Sequence, residues 1–151
     1  MWEWQYIKLG KRNLELIYID SNNSDRSLFN EFKKLHFNVS GRKTRSEKSW
    51  DIQYQAIKAN EAFLVLCKYE SKLVGGTYVM LGHNNAYYGV GAYDRNLMSK
   101  NIPISHFPLF SSIVYDKKLN KIFFDLGYLY SDNIDEKEQN IFNFKKGFSN
   151  M

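Results

Sequence analysis

From Ala62 to Gly127 the chain alternates apolar runs with short polar breaks, and the rest of the sequence is arranged around this stretch. The segments AFLVLCKYE, LVGGTYVML and AYYGVGAYD are separated only by Ser-Lys and by His-Asn-Asn, which predicts three strands joined by two tight turns in an antiparallel meander. After Asp94 come the polar loop RNLMSKNIPISH, a helical pattern in FPLFSSIVYDKKLN, and KIFFDLG, a short strand ending at Gly127. A helix between two strands permits a parallel pairing, so the predicted sheet is mixed, with helices on both faces.

Upstream, Trp2 to Tyr6 and Leu14 to Ile19 are β-like runs on either side of GKRN, and the second carries the β-branched and aromatic content that strands favour. Ser24 and Asp25 form a helix start signal, after which Leu28, Phe32, Leu35 and Val39 share one helical face. NVSG ends that helix, Ser46 is positioned to cap the next, and Trp50, Tyr54 and Ile57 again share a face. Near the end, Asp135 stands three residues before Glu138, and Ile141, Phe144 and Phe148 follow at helical spacing. The expected order is strand, helix, helix, three-strand meander, helix, strand, helix: one α/β domain over residues 1–151.

Composition narrows the class without naming it. The 21 basic and 16 acidic residues give a net charge of +5, but they are dispersed, and the densest basic groups are RKTR at Arg42 to Arg45 and the pairs at Lys117 and Lys145. That excess permits an anionic partner, yet a nucleic-acid-binding domain would need a clustered stripe. Cys67, inside an apolar run, is the single cysteine, so no disulfide framework exists within one chain and a reducing compartment is expected. The N-terminus has an early acid and no apolar core region, and Ala62 to Cys67 is too short to span a bilayer. A cytoplasmic protein is expected.

The segments WDIQYQAIKANEAFLVLCKYESKLVGGTYVM, AYYGVGAYDR, FFDLG and IFNFKKGF, in this order of elements, resemble the GNAT fold of acyltransferases. Within it they look most like the branch of the Fem-type (FemAB-like) peptidyltransferases. The resemblance implies a GNAT-like mixed sheet and an N-acyltransferase that joins an activated acyl or aminoacyl group to an amine. The donor it implies is acyl-CoA or aminoacyl-tRNA, and the acceptor is an amine-bearing small molecule or a cell-wall precursor. Ordinary coenzyme A-using members cradle the pyrophosphate on a glycine-rich turn before a helix. The corresponding RNLMSKNIPISH has no glycine, which predicts weak acetyl-CoA binding. The chain stops at SNM, so the usual last strands are expected to be missing and the edge of Ile122 to Leu126 to be covered by a second copy or by the N-terminal strands. The alternative is a catalytically silent GNAT-like binding module.

Transfer of an acyl group to an amine needs a base and oxyanion donors, but no metal. The three histidines lack metal-site spacing, and no metal ligands are assigned. His36 reads as a helix-boundary residue and His83 as a turn residue. His106 enters the crossover helix at the end of the meander, Asp94 and Arg95 leave its third strand, and Asp125 sits in the otherwise apolar IFFDLG, where an unpartnered carboxylate would be costly. Those positions are expected to converge on one cleft. There His106 or Asp125 would take the amine's proton and Asp94 would position the amine. Tyr88 and Tyr93 would line the acyl channel, and Arg45 or Arg95 would hold an acidic group. Strict alternation sets Tyr88 on the face opposite Tyr87 and Tyr93, with Gly89 and Gly91 leaving room for a bulge.

Overall fold

A computed structural model describes residues 2–128 and 135–149. In chain order the elements are α1 (Trp2–Asn13), β1 (Glu15–Ile19), α2 (Arg26–Ser40), α3 (Glu47–Lys58), β2 (Ala62–Tyr69), β3 (Lys72–Leu81) and β4 (Asn85–Tyr93). They continue with α4 (Arg95–Met98), α5 (His106–Lys118), β5 (Phe123–Asp125) and α6 (Glu136–Lys146). The five strands form one sheet in the order β1-β2-β3-β4-β5, antiparallel except for the parallel pair β4 and β5. Among the described residues no helix is long and apolar enough to cross a membrane.

The alternation of β2 divides the core. Leu64 and Leu66 face α2 and α3, where they pack with Phe29, Phe32, Trp50, Tyr54 and Ile57. Phe63, Val65 and Cys67 point to the other face, against α5 and α1 through Tyr115, Phe107 and Ile7. Both faces are covered, which is why β2 is buried from Ala62 to Cys67 without a polar position.

Local signals set the helix ends. Asp25 rather than Ser24 caps α2, its side chain accepting from the Leu28 amide. Ser46 caps α3 by accepting from Ser49, and Asp135 caps α6 by accepting from Glu138. Ser131 to Ile134, the expected lead into α6, and the terminal Asn150 and Met151 lie outside the described residues.

The β-like run Trp2 to Tyr6 is instead the first half of α1. Ile7 of α1 and Leu14 just after its end are buried against Ile104 and Phe107, so tertiary packing overrides the local aromatic content. The N-terminal strand β1 pairs with β2 at the opposite edge of the sheet, and among the described residues no strand pairs with the outer edge of β5, where Phe123 is 68 % exposed.

Candidate active site

The ladder between β4 and β5 ends almost as soon as it begins, joining only Asn85, Ala86 and Tyr87 to Phe123, Phe124 and Asp125. From Tyr88 to Tyr93, β4 stays paired with β3 except at Gly89, and among the described residues it has no partner on the β5 side. A parallel pair that diverges makes a crevice at the sheet's open end, a common position for ligands in α/β folds. Here the crevice is a cleft of about 880 Å³, walled by β4, by the start of α5 and by α6. That volume lies within the ~300–1,000 Å³ usual for small-molecule sites.

A bulge in β4 decides what faces the cleft. Tyr78 pairs with Val90 and Val79 with Tyr88, so Gly89 is the extra residue. The extra residue inverts the alternation, and Tyr88 and Tyr93 therefore come to the same side. Their hydroxyls lie 3.1 Å apart, and the Tyr93 hydroxyl is 2.7 Å from the buried Thr77 Oγ1. A Cβ on Gly91 would stand 2.0 Å from the Tyr88 hydroxyl oxygen, so only glycine lets the Tyr88 ring fold over the strand. Burial raises the pKa of both phenols above the ordinary value; the Tyr93 hydrogen bond offsets this at Tyr88, and at Tyr93 the neighbouring Tyr88 adds to it. Both are neutral hydrogen-bond donors at physiological pH.

Lys145 closes the cleft from α6. Its Nζ is 6.0 Å from the centroid of the Tyr88 ring and 3.5 Å from the Tyr128 carbonyl oxygen. Burial lowers its pKa, and the nearby Asp125 partly opposes that. Sequence reasoning counted Lys145 only as part of a basic pair. The signal was its position four residues after Ile141, which puts it on the same helical face as residues already assigned to packing.

The candidate residues divide between places. Tyr88, Tyr93, Arg95 and His106 line this cleft. The His106 ring stacks on Tyr6 at 4.7 Å and meets Phe144 edge-on at 4.9 Å, with Nδ1 3.3 Å from Ser105 Oγ. Asp94 caps α4 by accepting from the Asn96 amide and faces an adjoining hollow of about 500 Å³. Asp125 is exposed, because β5 is a three-residue edge strand. It accepts a 2.7 Å bond from the Gly127 amide, and Gly127 has φ 80°, a conformation glycine tolerates. Asp125 thus has a hydrogen-bond partner, and it has it at an exposed position. Arg45 is in neither place. The loop after α2 folds it back so that its guanidinium donates to His36 Nε2 at 3.1 Å and lies 5.6 Å from the Trp50 ring centroid.

The glycine-free segment after β4 forms α4 and a following turn. Its amides bond internally, Ser99 to the Arg95 carbonyl, Lys100 to that of Leu97 and Asn101 to that of Met98. Amides used in this way are not presented to a phosphate.

No family model matches the chain, and no curated protein matches its sequence. Solved structures do match in shape. An aminoglycoside acetyltransferase from an uncultured soil metagenomic sample, in complex with sisomicin, superposes with a TM-score of 0.69 at 14% identity, over 93% of this chain and 90% of that one. FemX gives 0.72 at 13%, over 97% of this chain and 52% of its own. The aminoglycoside N-acetyltransferase AAC(6')-Iy, in complex with the bisubstrate analogue CoA-S-monomethyl-acetylneamine, gives 0.62 at 4%, over 88% of each chain. At these identities the likeness concerns architecture: the mixed five-stranded sheet with its flanking helices is that of GNAT-fold acetyltransferases.

Proposed function

We propose that this protein is an N-acyltransferase whose reaction takes place in the cleft between β4, α5 and α6. The observation that carries the reading is the divergence of β4 and β5, with the Tyr88 and Tyr93 hydroxyls facing the gap. The acceptor amine's lone pair attacks the acyl carbonyl carbon, a C–N bond forms, and the bond to the donor's leaving oxygen or sulfur breaks. The amine loses one proton, and the leaving group gains one.

The neutral Tyr88 phenol, held by Tyr93 and behind it Thr77, is suited to donate to the developing oxyanion or to the leaving group. Lys145 adds a positive charge beside it. His106 in the cleft, or Asp125, whose charge acts on the cleft residue Lys145, takes the amine's proton, and Arg95 pairs with an anionic group on either substrate. Asp94, as the α4 cap, fixes the backbone from which Arg95 projects. The internally bonded amides after β4 favour a donor that needs no pyrophosphate cradle, so an aminoacyl ester on tRNA is preferred to an acyl-CoA.

The same loop also supports a second reading, a binding module without turnover. Transfer assays with aminoacyl-tRNA and acyl-CoA donors and an amine panel separate the two. Loss of a general base costs about a hundredfold or more. Either His106→Ala or Asp125→Asn should therefore lower the rate by that factor in folded protein, and full activity in both would remove these residues from the mechanism.

A further inference from the structure

Helix α1 spends only one of its sides on the fold. Ile7 is buried with Phe107, and a Cβ on Gly10 would stand 2.5 Å from a Phe107 ring carbon, so α1 crosses the start of α5 at close range. Tyr6 stacks on His106 and Trp4 meets Phe110 edge-on, which lays the first turns of α1 over the first two turns of α5.

The other side of α1 faces solvent. Trp4, Lys8 and Lys11 follow at spacings of four and three and form a stripe there, with Arg12 one turn beyond Lys8. All four are exposed, Trp4 at 56 %. The stripe continues onto α5. Val114 lies one turn after Phe110 and is 38 % exposed, and Lys117 and Lys118, one turn further, are exposed as well. An apolar ridge of Trp4, Phe110 and Val114 is thus flanked by cations from both helices.

Those charges are not offset on this face. Among the described residues Lys8, Lys11, Arg12, Lys117 and Lys118 have no carboxylate partner. Asp116, beside Lys117 in sequence, is buried, and Glu15, just after α1, stands opposite Lys68 in the β1–β2 ladder.

A tryptophan set among lysines and arginines on an amphipathic surface helix is the arrangement that seats a helix at a membrane surface, with the indole at headgroup depth and the cations on anionic lipid. A single-stranded nucleic acid would instead call for a basic groove with rings exposed along it. None of these side chains lines the cleft or the hollow beside it.

We infer that the face formed by α1 and the middle of α5 docks the protein on an anionic lipid bilayer surface. At 12 residues α1 is too short to span the ~30 Å hydrocarbon core and lies along the interface. The inference goes beyond acyl transfer and does not depend on it. Tyr6, on the inner side of the same helix, joins the docked face to His106 in the wall of the cleft.

The test is co-sedimentation of the intact chain with vesicles at about 0.15 M salt, where charges more than ~8 Å from the lipid are screened. Vesicles of equal parts phosphatidylglycerol and phosphatidylcholine should carry the protein down, and phosphatidylcholine alone should not. Lys8→Gln/Lys11→Gln/Arg12→Gln should lower the partition coefficient about a hundredfold, since each cation near such a surface contributes roughly a factor of five. Trp4→Ala and, on the other helix, Lys117→Gln/Lys118→Gln should each lower it about tenfold. The last variant leaves α1 intact, so the face is tested even where substitutions in α1 disturb its packing. Lys34→Gln/Arg42→Gln/Lys43→Gln, an equal loss of charge at exposed positions of α2 and the loop after it, should leave partition unchanged. No sedimentation with the anionic vesicles, equal binding to neutral ones, an equal loss in the α2 variant, or an RNA duplex that displaces the vesicles would each overturn the assignment. None of these readouts needs turnover, so failure of acyl transfer and failure of the docking face are told apart.

Discussion

Asp116, near the end of α5, is 4 % exposed, and its Oδ1 has no hydrogen-bond partner among the described residues. Burial pushes its pKa up from 3.8 to about 6, and the Lys121 charge only partly resists. The folded state therefore binds a proton that the unfolded chain releases between those two values. Stability falls as pH rises through this window, and the penalty is complete above about 6. A shift of roughly 2 pH units is worth at most about 3 kcal/mol at about 1.4 kcal/mol each. Solvent screening and the uncompensated amide that replaces the carboxylate reduce the expected gain from Asp116→Asn to about 1–2 kcal/mol. For a chain of this length that raises the melting temperature by about 3–6 °C. Paired urea titrations of both proteins at pH 8 and pH 4 read the difference directly: the variant should be more stable at pH 8, and the gap should nearly close at pH 4. A variant less stable at pH 8, or a gap of the same size at both pH values, would refute the reasoning.

Three further outcomes follow from the packing and the site. Gly76→Ala would place a Cβ 2.6 Å from a Phe32 ring carbon and 2.9 Å from a Leu66 methyl in the buried α2 face of the sheet, costing about 1–3 kcal/mol in a denaturant titration. Gly91→Ala must displace the Tyr88 hydroxyl and break its bond to Tyr93; it should slow transfer more than Tyr88→Phe, which leaves the ring in place, and equal rates would contradict the geometry. Acetyl-CoA should give little thermal stabilisation at concentrations where a bound donor would give about 2–3 kcal/mol, and a large shift would show that the α4 segment rearranges to hold a pyrophosphate.

What was legible in the sequence was local and periodic. The meander, the buried faces of α2 and α3, and the capping roles of Ser46 and Asp135 follow from spacing that tertiary contacts reinforce, whereas α6 buries none of its residues and leaves Ile141 exposed. Helix α1 was not, because Trp2 to Tyr6 has strand-like content and only the packing of Ile7 and Leu14 on α5 makes it helical. The pairing of Tyr88 with Tyr93 was hidden too, since one extra residue at Gly89 reverses the face of everything on one side of it. The apolar neighbours of Asp125 called for a partner, which the Gly127 amide supplies, but they did not reveal that a three-residue edge strand leaves the carboxylate exposed. Arg45 looked free to reach the cleft, and its recruitment by His36 and Trp50 depends on a loop path that spacing does not encode.

The central claim is that the gap between β4 and β5 is where an acyl group passes to an amine. Mass-spectrometric detection of acylated amine, with the wild type and Tyr88→Phe run against the same donor and acceptor panel, tests it most directly. The account predicts transfer by the wild type from at least one aminoacyl or acyl donor, and a roughly hundredfold slower rate in the variant. It is contradicted if no donor in the panel yields product, or if Tyr88→Phe transfers at the wild-type rate.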